Sequence, residues 1–165
     1  TLTTSSAASD VYKRQPQSRV MEFTRVGEDI LLKLNPGEEI HSSIQSLHDH
    51  GIECAVITSG IGRCHNIEIG YLGSDRVYQK TMHHNSMELL STQGNLAPGP
   101  NGPFTHLHVV ISDDDNIVHG GHLFSATVSV TAEIHLRVLS SNLGSNMICR
   151  VADDSEFVQL RFKEE

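Results

Sequence analysis

The spacing of apolar residues along the chain changes period several times, and each change marks an element. Between residues 21 and 34 apolar positions alternate loosely through Phe23, Val26 and Ile30-Leu31-Leu32, interrupted by Gly27. That pattern predicts a strand pair or one bent strand. Asn35-Pro36-Gly37-Glu38 then predicts a helix start, with Asn35 as N-cap, Pro36 at the first helical position and Glu38 as the capping-box acid. Ile40, Ile44 and Leu47 recur at helical spacing, and Gly51 stands where a C-cap glycine ends a helix. His41, His48 and His50 are assigned to its wet face.

Strand-like segments follow at residues 53–58, 65–71, 77–83 and 87–93, and Ser59-Gly60-Ile61-Gly62 is read as a tight turn between the first two. Residues 95–103 hold three prolines and two glycines and predict a loop. Residues 104–111 read as a strand, and Asp113-Asp114-Asp115-Asn116 as a turn into a strand over 117–123. In residues 127–138 the alternation is clearest: Val128, Val130, Ala132, Ile134, Leu136 and Val138 share one face, and polar residues the other. A last strand, 157–162, is expected to close the sheet. One amphipathic helix among many hairpin-connected strands predicts an α+β fold, a compact and mostly antiparallel sheet.

Residues 1–15 are Ser/Thr/Ala-rich, have no apolar period and end in Asp10-Val11-Tyr12-Lys13-Arg14-Gln15, which resembles translated adapter sequence. Residues 1–17 are therefore expected to be a non-native or disordered segment, and 18–165 the domain. No apolar run approaches the roughly 20 residues that cross a bilayer, and no signal-peptide pattern is present, so a cytoplasmic, membrane-free protein is expected. The three cysteines, Cys54, Cys64 and Cys149, contain no C-x-x-C pair and predict reduced thiols. A net charge of −8 argues against gripping nucleic acid, since that affinity comes from neutralising phosphates with Lys and Arg. Eleven histidines and no tryptophan are the compositional oddity, and histidine is the commonest metal ligand.

On the 104–111 strand His106 and His108 are two apart and so share a face. On the returning strand His119-Gly120-Gly121-His122 can bring a third imidazole to within cross-strand distance. Three His ligands with an open fourth position are the pattern of a catalytic or substrate-binding zinc site, and glycines permit the close approach. The alternative is a pair of hydrogen-bonded, half-exposed histidines. His119 and His122 differ by an odd number of positions, so a regular strand lets only one of them join.

The same segment partly resembles a cupin metal motif, with Asp113 in place of the Glu and Gly120 after it, but the second cupin motif has no counterpart. Ser59-Gly60-Ile61-Gly62 lacks a dinucleotide fingerprint, and the Asp113–Asp115 run lacks EF-hand spacing. Glu88 is considered as a catalytic general base or a partner to the histidines, against the alternative of a solvated strand-face carboxylate.

Six blocks in order, Leu32-Lys33-Leu34-Asn35-Pro36-Gly37-Glu38-Glu39-Ile40, Ala55-Val56-Ile57-Thr58-Ser59-Gly60-Ile61-Gly62, Met87-Glu88-Leu89-Leu90-Ser91, Phe104-Thr105-His106-Leu107-His108-Val109, Gly120-Gly121-His122-Leu123 and Val128-Ser129-Val130-Thr131-Ala132-Glu133, resemble the PPC (plant- and prokaryote-conserved) domain family. The resemblance implies a homotrimer and, as in the prokaryotic branch, a zinc site at or near the subunit boundary on His106, His108 and His122. The plant branch accompanies AT-hooks, Arg-Gly-Arg-Pro segments absent from this chain, and uses a Gly-Arg-Phe-Glu-Ile-Leu segment that here reads Asn85-Ser86-Met87-Glu88-Leu89-Leu90. His135 departs from the family's usual aromatic or aliphatic residue. The expectation is a zinc-dependent protein that binds an unidentified small molecule or performs hydrolytic-type chemistry, without direct DNA binding. A non-enzymatic oligomerisation module, linked to DNA only by descent, is the second reading.

Overall fold

The computed structural model describes residues 21–139, 148–152 and 157–162. The adapter-like segment lies outside them. The first apolar stretch is a strand pair, β1 (Glu22–Val26) and β2 (Asp29–Leu34), turning at Gly27 with φ +63°. After β2 come a short helix α1 (Ile40–Gln45), a 3-10 turn over Ser46–His50, then β3 (Ala55–Leu72), β4 (Tyr78–His83), β5 (Met87–Gly99), β6 (Gly102–Ser112), β7 (Val118–Val138), β8 (Ile148–Ala152) and β9 (Val158–Phe162). Every strand pair is antiparallel, so the α+β, mostly antiparallel expectation holds.

The helix begins later than its sequence signals predict. Pro36 and Gly37 form a turn, closed by the Glu38 amide donating to Asn35 O at 3.2 Å and by the Glu38 carboxylate accepting from the Asn35 amide at 2.6 Å. Gly37 takes φ +92°, which no helix interior accommodates, and residues 37–38 bond back to Val128 on β7. Glu39 is the N-cap instead, its carboxylate accepting from the Ser42 amide at 2.8 Å. Gly51 ends the 3-10 turn as expected: it is left-handed (φ +77°), and the Gly51 and Ile52 amides donate to His48 O and Leu47 O in a Schellman arrangement. Six α-helical residues do not persist alone, so the helix is held by burial of Ile40, Ile44 and Leu47, each worth about 1.5–3 kcal/mol.

The pairing chain β7–β6–β5–β3 returns to β7, which closes four strands into a ring, with β1–β2 continuing from β7 and β4 from β3. The core fills this ring and the space under the helix, through Leu32, Ile57, Leu107, Ile111, Ile134 and Leu136.

Three segments assigned from sequence change identity. Ser59-Gly60-Ile61-Gly62 is not a turn: strands expected at 53–58 and 65–71 fuse into β3, which bends there through register shifts against β7. The glycines serve close packing, since a Cβ on Gly62 would lie 2.2 Å from Thr131 O and one on Gly60 would lie 2.9 Å from the Thr92 side chain. Residues 95–103 are not a loop: β5 and β6 run through them, and only residues 100–101 turn. In a two-residue hairpin the flanking pair, Gly99 and Gly102, is hydrogen-bonded, so the next pair, Pro98 and Pro103, falls where no ladder bond is forfeited. The last strand does not close the main sheet but pairs with β8 in a separate hairpin.

In β7 the alternation places Val128, Ala132, Ile134, Leu136 and Val138 in the core, whereas Val130 is 39% exposed. From Val128 to Ala132 β7 advances four positions while β3 advances two, and Val130 sits on the resulting bulge. Cys54 and Cys64 are buried and Cys149 half-buried, and none of the three is in a disulfide. Among the described residues no helix is long and apolar enough to cross a membrane.

Candidate metal centre

On β6 the pleat alternates as its sequence predicts: Thr105, Leu107, Val109 and Ile111 face the core, and His106, His108 and Val110 face outward. β7 returns alongside with His108 opposite His122 and Ile111 opposite His119. The three rings of His106, His108 and His122 form a near-equilateral group, with centroids 5.0–5.3 Å apart. One nitrogen from each lies within 4.8 Å of the others. Gly121 lets β7 lie close against β3 beside His122, because a Cβ there would stand 2.6 Å from Gly70 O.

The electrostatics favour neutral rings at His106 and His122. Burial pushes both His106 and His122 down to about 4, with Arg150 and His108 adding for His106, and His106 and His108 for His122. His122 Nδ1 is buried without a hydrogen-bond partner. A neutral imidazole with an unpartnered lone pair is what a divalent cation requires, and the set of three nitrogens suits zinc, which needs ligand nitrogens about 3.4 Å apart at its usual bond lengths.

His119 is not in the cluster. Its Nε2 is 3.3 Å from Asp113 Oδ2 and its ring is 4.9 Å from that of His83. Asp113 also accepts the Asp115 and Ile117 amides, so the acidic run is a self-bonded turn. Glu88 is not brought to the histidines either. It pairs with Arg63 and stands opposite Ser112, four positions along β6 from His108, a strand distance of about 13 Å. Half of its side chain is exposed on the strand face.

Two residues of the site escaped sequence reasoning. His41 does not sit on the wet face: it is half-buried, with Nε2 3.1 Å from Leu123 O and Nδ1 2.7 Å from Thr105 Oγ1. A carbonyl only accepts, so Nε2 carries the proton, while the Thr105 hydroxyl accepts from Gln45 Nε2 at 3.0 Å and donates to Nδ1. Burial holds this imidazole below its usual range. Helical geometry offered a signal: His41 lies 60° from Ile44 around the helix, on the stripe it shares with Gln45 beside the core. Arg150, on β8, is the second. It donates to Asn95 Oδ1 and Val158 O at 2.8 Å, and its Nη2 lies 3.3 Å from His106 Nδ1.

A cavity of about 610 Å³ opens beside the cluster, lined by His106 and His122, by His41 and Gln45 of the helix, by Lys80 of β4 and by Arg150. Its apolar wall is aromatic, with Tyr78 and Phe124 stacked about His122 at 5.2 and 4.7 Å and Phe104 beyond.

The model of the Plants and Prokaryotes Conserved (PCC) domain matches residues 21–140. The chain belongs to the PCC domain family. A metal-containing protein from Archaeoglobus fulgidus is similar at 34% identity and TM-score 0.71, with 88% of this chain and 100% of that one covered. A PPC protein from Pyrococcus horikoshii is similar at 27% identity and TM-score 0.68, with 90% and 97% covered. A Bacteroides thetaiotaomicron protein, named as a candidate DNA-binding protein, shares the fold at 19% identity and TM-score 0.74, with 88% and 98% covered. No curated protein matches the chain. The β8–β9 hairpin that carries Arg150 lies beyond the segment matched by the PCC model.

Proposed function

We propose that this PCC protein is a zinc-centred small-molecule-binding protein, in which His106, His108 and His122 hold one divalent ion per subunit and the adjoining cavity receives the ligand. The carrying observation is the convergence of three imidazoles within 4.8 Å of one another, two of them on the wall of that cavity. The 34% identical A. fulgidus relative, a metal-containing protein, supports the reading. A bound zinc supplies Lewis acidity or an activated water. His41, kept neutral by burial and oriented by Thr105 and Leu123, lines the same cavity and is placed to orient a ligand there.

The subunits assemble as a homotrimer with this face near a subunit boundary. His108 is exposed, and on the same outer face Val110 and Val118 are 37% and 58% exposed, apolar surface that an assembly would cover.

The test is zinc titration of chelator-stripped protein by calorimetry. Wild type and His119→Ala take up one equivalent per subunit, and His122→Ala loses high-affinity uptake while melting normally. Retention of the ion by His122→Ala together with its loss from His119→Ala would contradict the ligand set.

A further inference from the structure

The chain carries a net charge of −8, yet among the described residues its cavity beside the imidazoles is lined by two cations, Lys80 and Arg150, and by no carboxylate. Arg150 is only 7% exposed. Its hydrogen-bond acceptors are neutral: Val158 O, Asn95 Oδ1 and, more distantly, His106 Nδ1. Its Nε is buried without a partner. Among the described residues no Asp or Glu pairs with it. A buried guanidinium without a counter-ion costs several kcal/mol, and a ligand anion arriving in the cavity would offset that cost.

Lys80 is different, because Glu68 already lies 3.5 Å from its ammonium, which also sits 3.8 Å over the Phe124 ring. The cavity therefore presents about one uncompensated positive charge, which matches a monoanion better than a phosphate dianion. Tyr78, Phe104 and Phe124 line the same cavity, the Phe104 ring 5.5 Å from the Arg150 guanidinium. A volume of about 610 Å³ is that of a typical small-ligand site.

The geometry points to a small organic monocarboxylate with a flat apolar body as the ligand of this cavity, its carboxylate held by Arg150 and its body laid against the aromatic wall. The assignment rests on the reading of this cavity as the ligand site of the metal centre, and it places the acid group at Arg150 rather than on the ion alone.

The test uses the full chain, stripped with chelator or loaded with zinc, with zinc content measured on every sample. Phenylacetate, phenylacetamide and benzylphosphonate are titrated by calorimetry. Phenylacetate is expected to bind the stripped protein about tenfold more tightly than its neutral amide, the value of one charge-assisted contact. Arg150→Gln erases that preference, Arg150→Lys keeps part of it, and Lys80→Met, which leaves the buried network untouched, reduces it by a smaller factor. Should Arg150→Gln fail to fold, the acid-to-amide ratio in wild type and in Lys80→Met still decides. Equal binding of acid and amide, acid binding seen only when zinc is present, no acid binding in either form, or a tenfold preference for the phosphonate would each overturn the proposal. Failure to take up zinc with the acid preference intact would instead sink the metal reading and leave the carboxylate site standing.

Discussion

Acid should destabilise the metal-free protein through the same imidazoles that make the site. In the unfolded chain His106 and His122 take up protons near pH 6.5, whereas in the fold burial holds both down to about 4. Between those values the unfolded state binds more protons, so stability is full above about pH 6.5 and falls as the pH drops toward 4. A fully enclosed ring with that displacement would contribute about 3 kcal/mol, and partial contact with solvent reduces this to roughly 1–2 kcal/mol for each. The two rings are close enough to titrate as a pair, so the loss belongs to both together. Urea unfolding in excess chelator, at a series of pH values from neutral to about 4.5, measures it. His122→Phe keeps the aromatic packing against Tyr78 and Phe124 and should remove roughly half of the pH-dependent loss. An unchanged pH slope in that variant would refute the burial argument.

Gly121→Ala should weaken zinc binding and lower stability by roughly 2–3 kcal/mol, because its Cβ meets Gly70 O at 2.6 Å beside His122; a normal melt with full zinc uptake would contradict that. Light scattering at micromolar concentration should return a homotrimer, and a monomer would contradict the assembly. Without residues 1–15 the chain has 10 basic residues (12 − 2) and 19 acidic ones (20 − 1), a net of −9, so no duplex-DNA complex should appear in a gel shift at physiological salt. A salt-sensitive complex of micromolar affinity or better would overturn this.

Period-2 alternation made most strands legible because one face of each is core and the other is not, as Leu107 and His108 on β6 illustrate. The same rule puts His122 and His119 on opposite faces, since an odd spacing flips the face. Where glycine and proline serve packing rather than turning, the sequence misleads. Gly60 and Gly62 look like a turn but clear space for Thr92 and Thr131, and Pro98 and Pro103 look like a loop but occupy a hairpin pair that needs no amide donors. The site's remaining parts were illegible for a different reason. Arg150 reaches Asn95 and His106, partners 55 and 44 residues away, and nothing in the short run of β8 signals that a charge is buried there. His41 was misplaced because its face was judged by polarity, while its ring nitrogens satisfy Thr105 and Leu123 across two strands.

The proposed zinc centre is tested most directly by elemental analysis and zinc-edge X-ray absorption on protein purified without chelator. The account predicts one zinc per subunit with three imidazole nitrogens at about 2.0–2.1 Å and a light-atom fourth ligand. Protein that contains no divalent metal, or a metal whose nitrogen shell survives intact in His122→Ala, would contradict it.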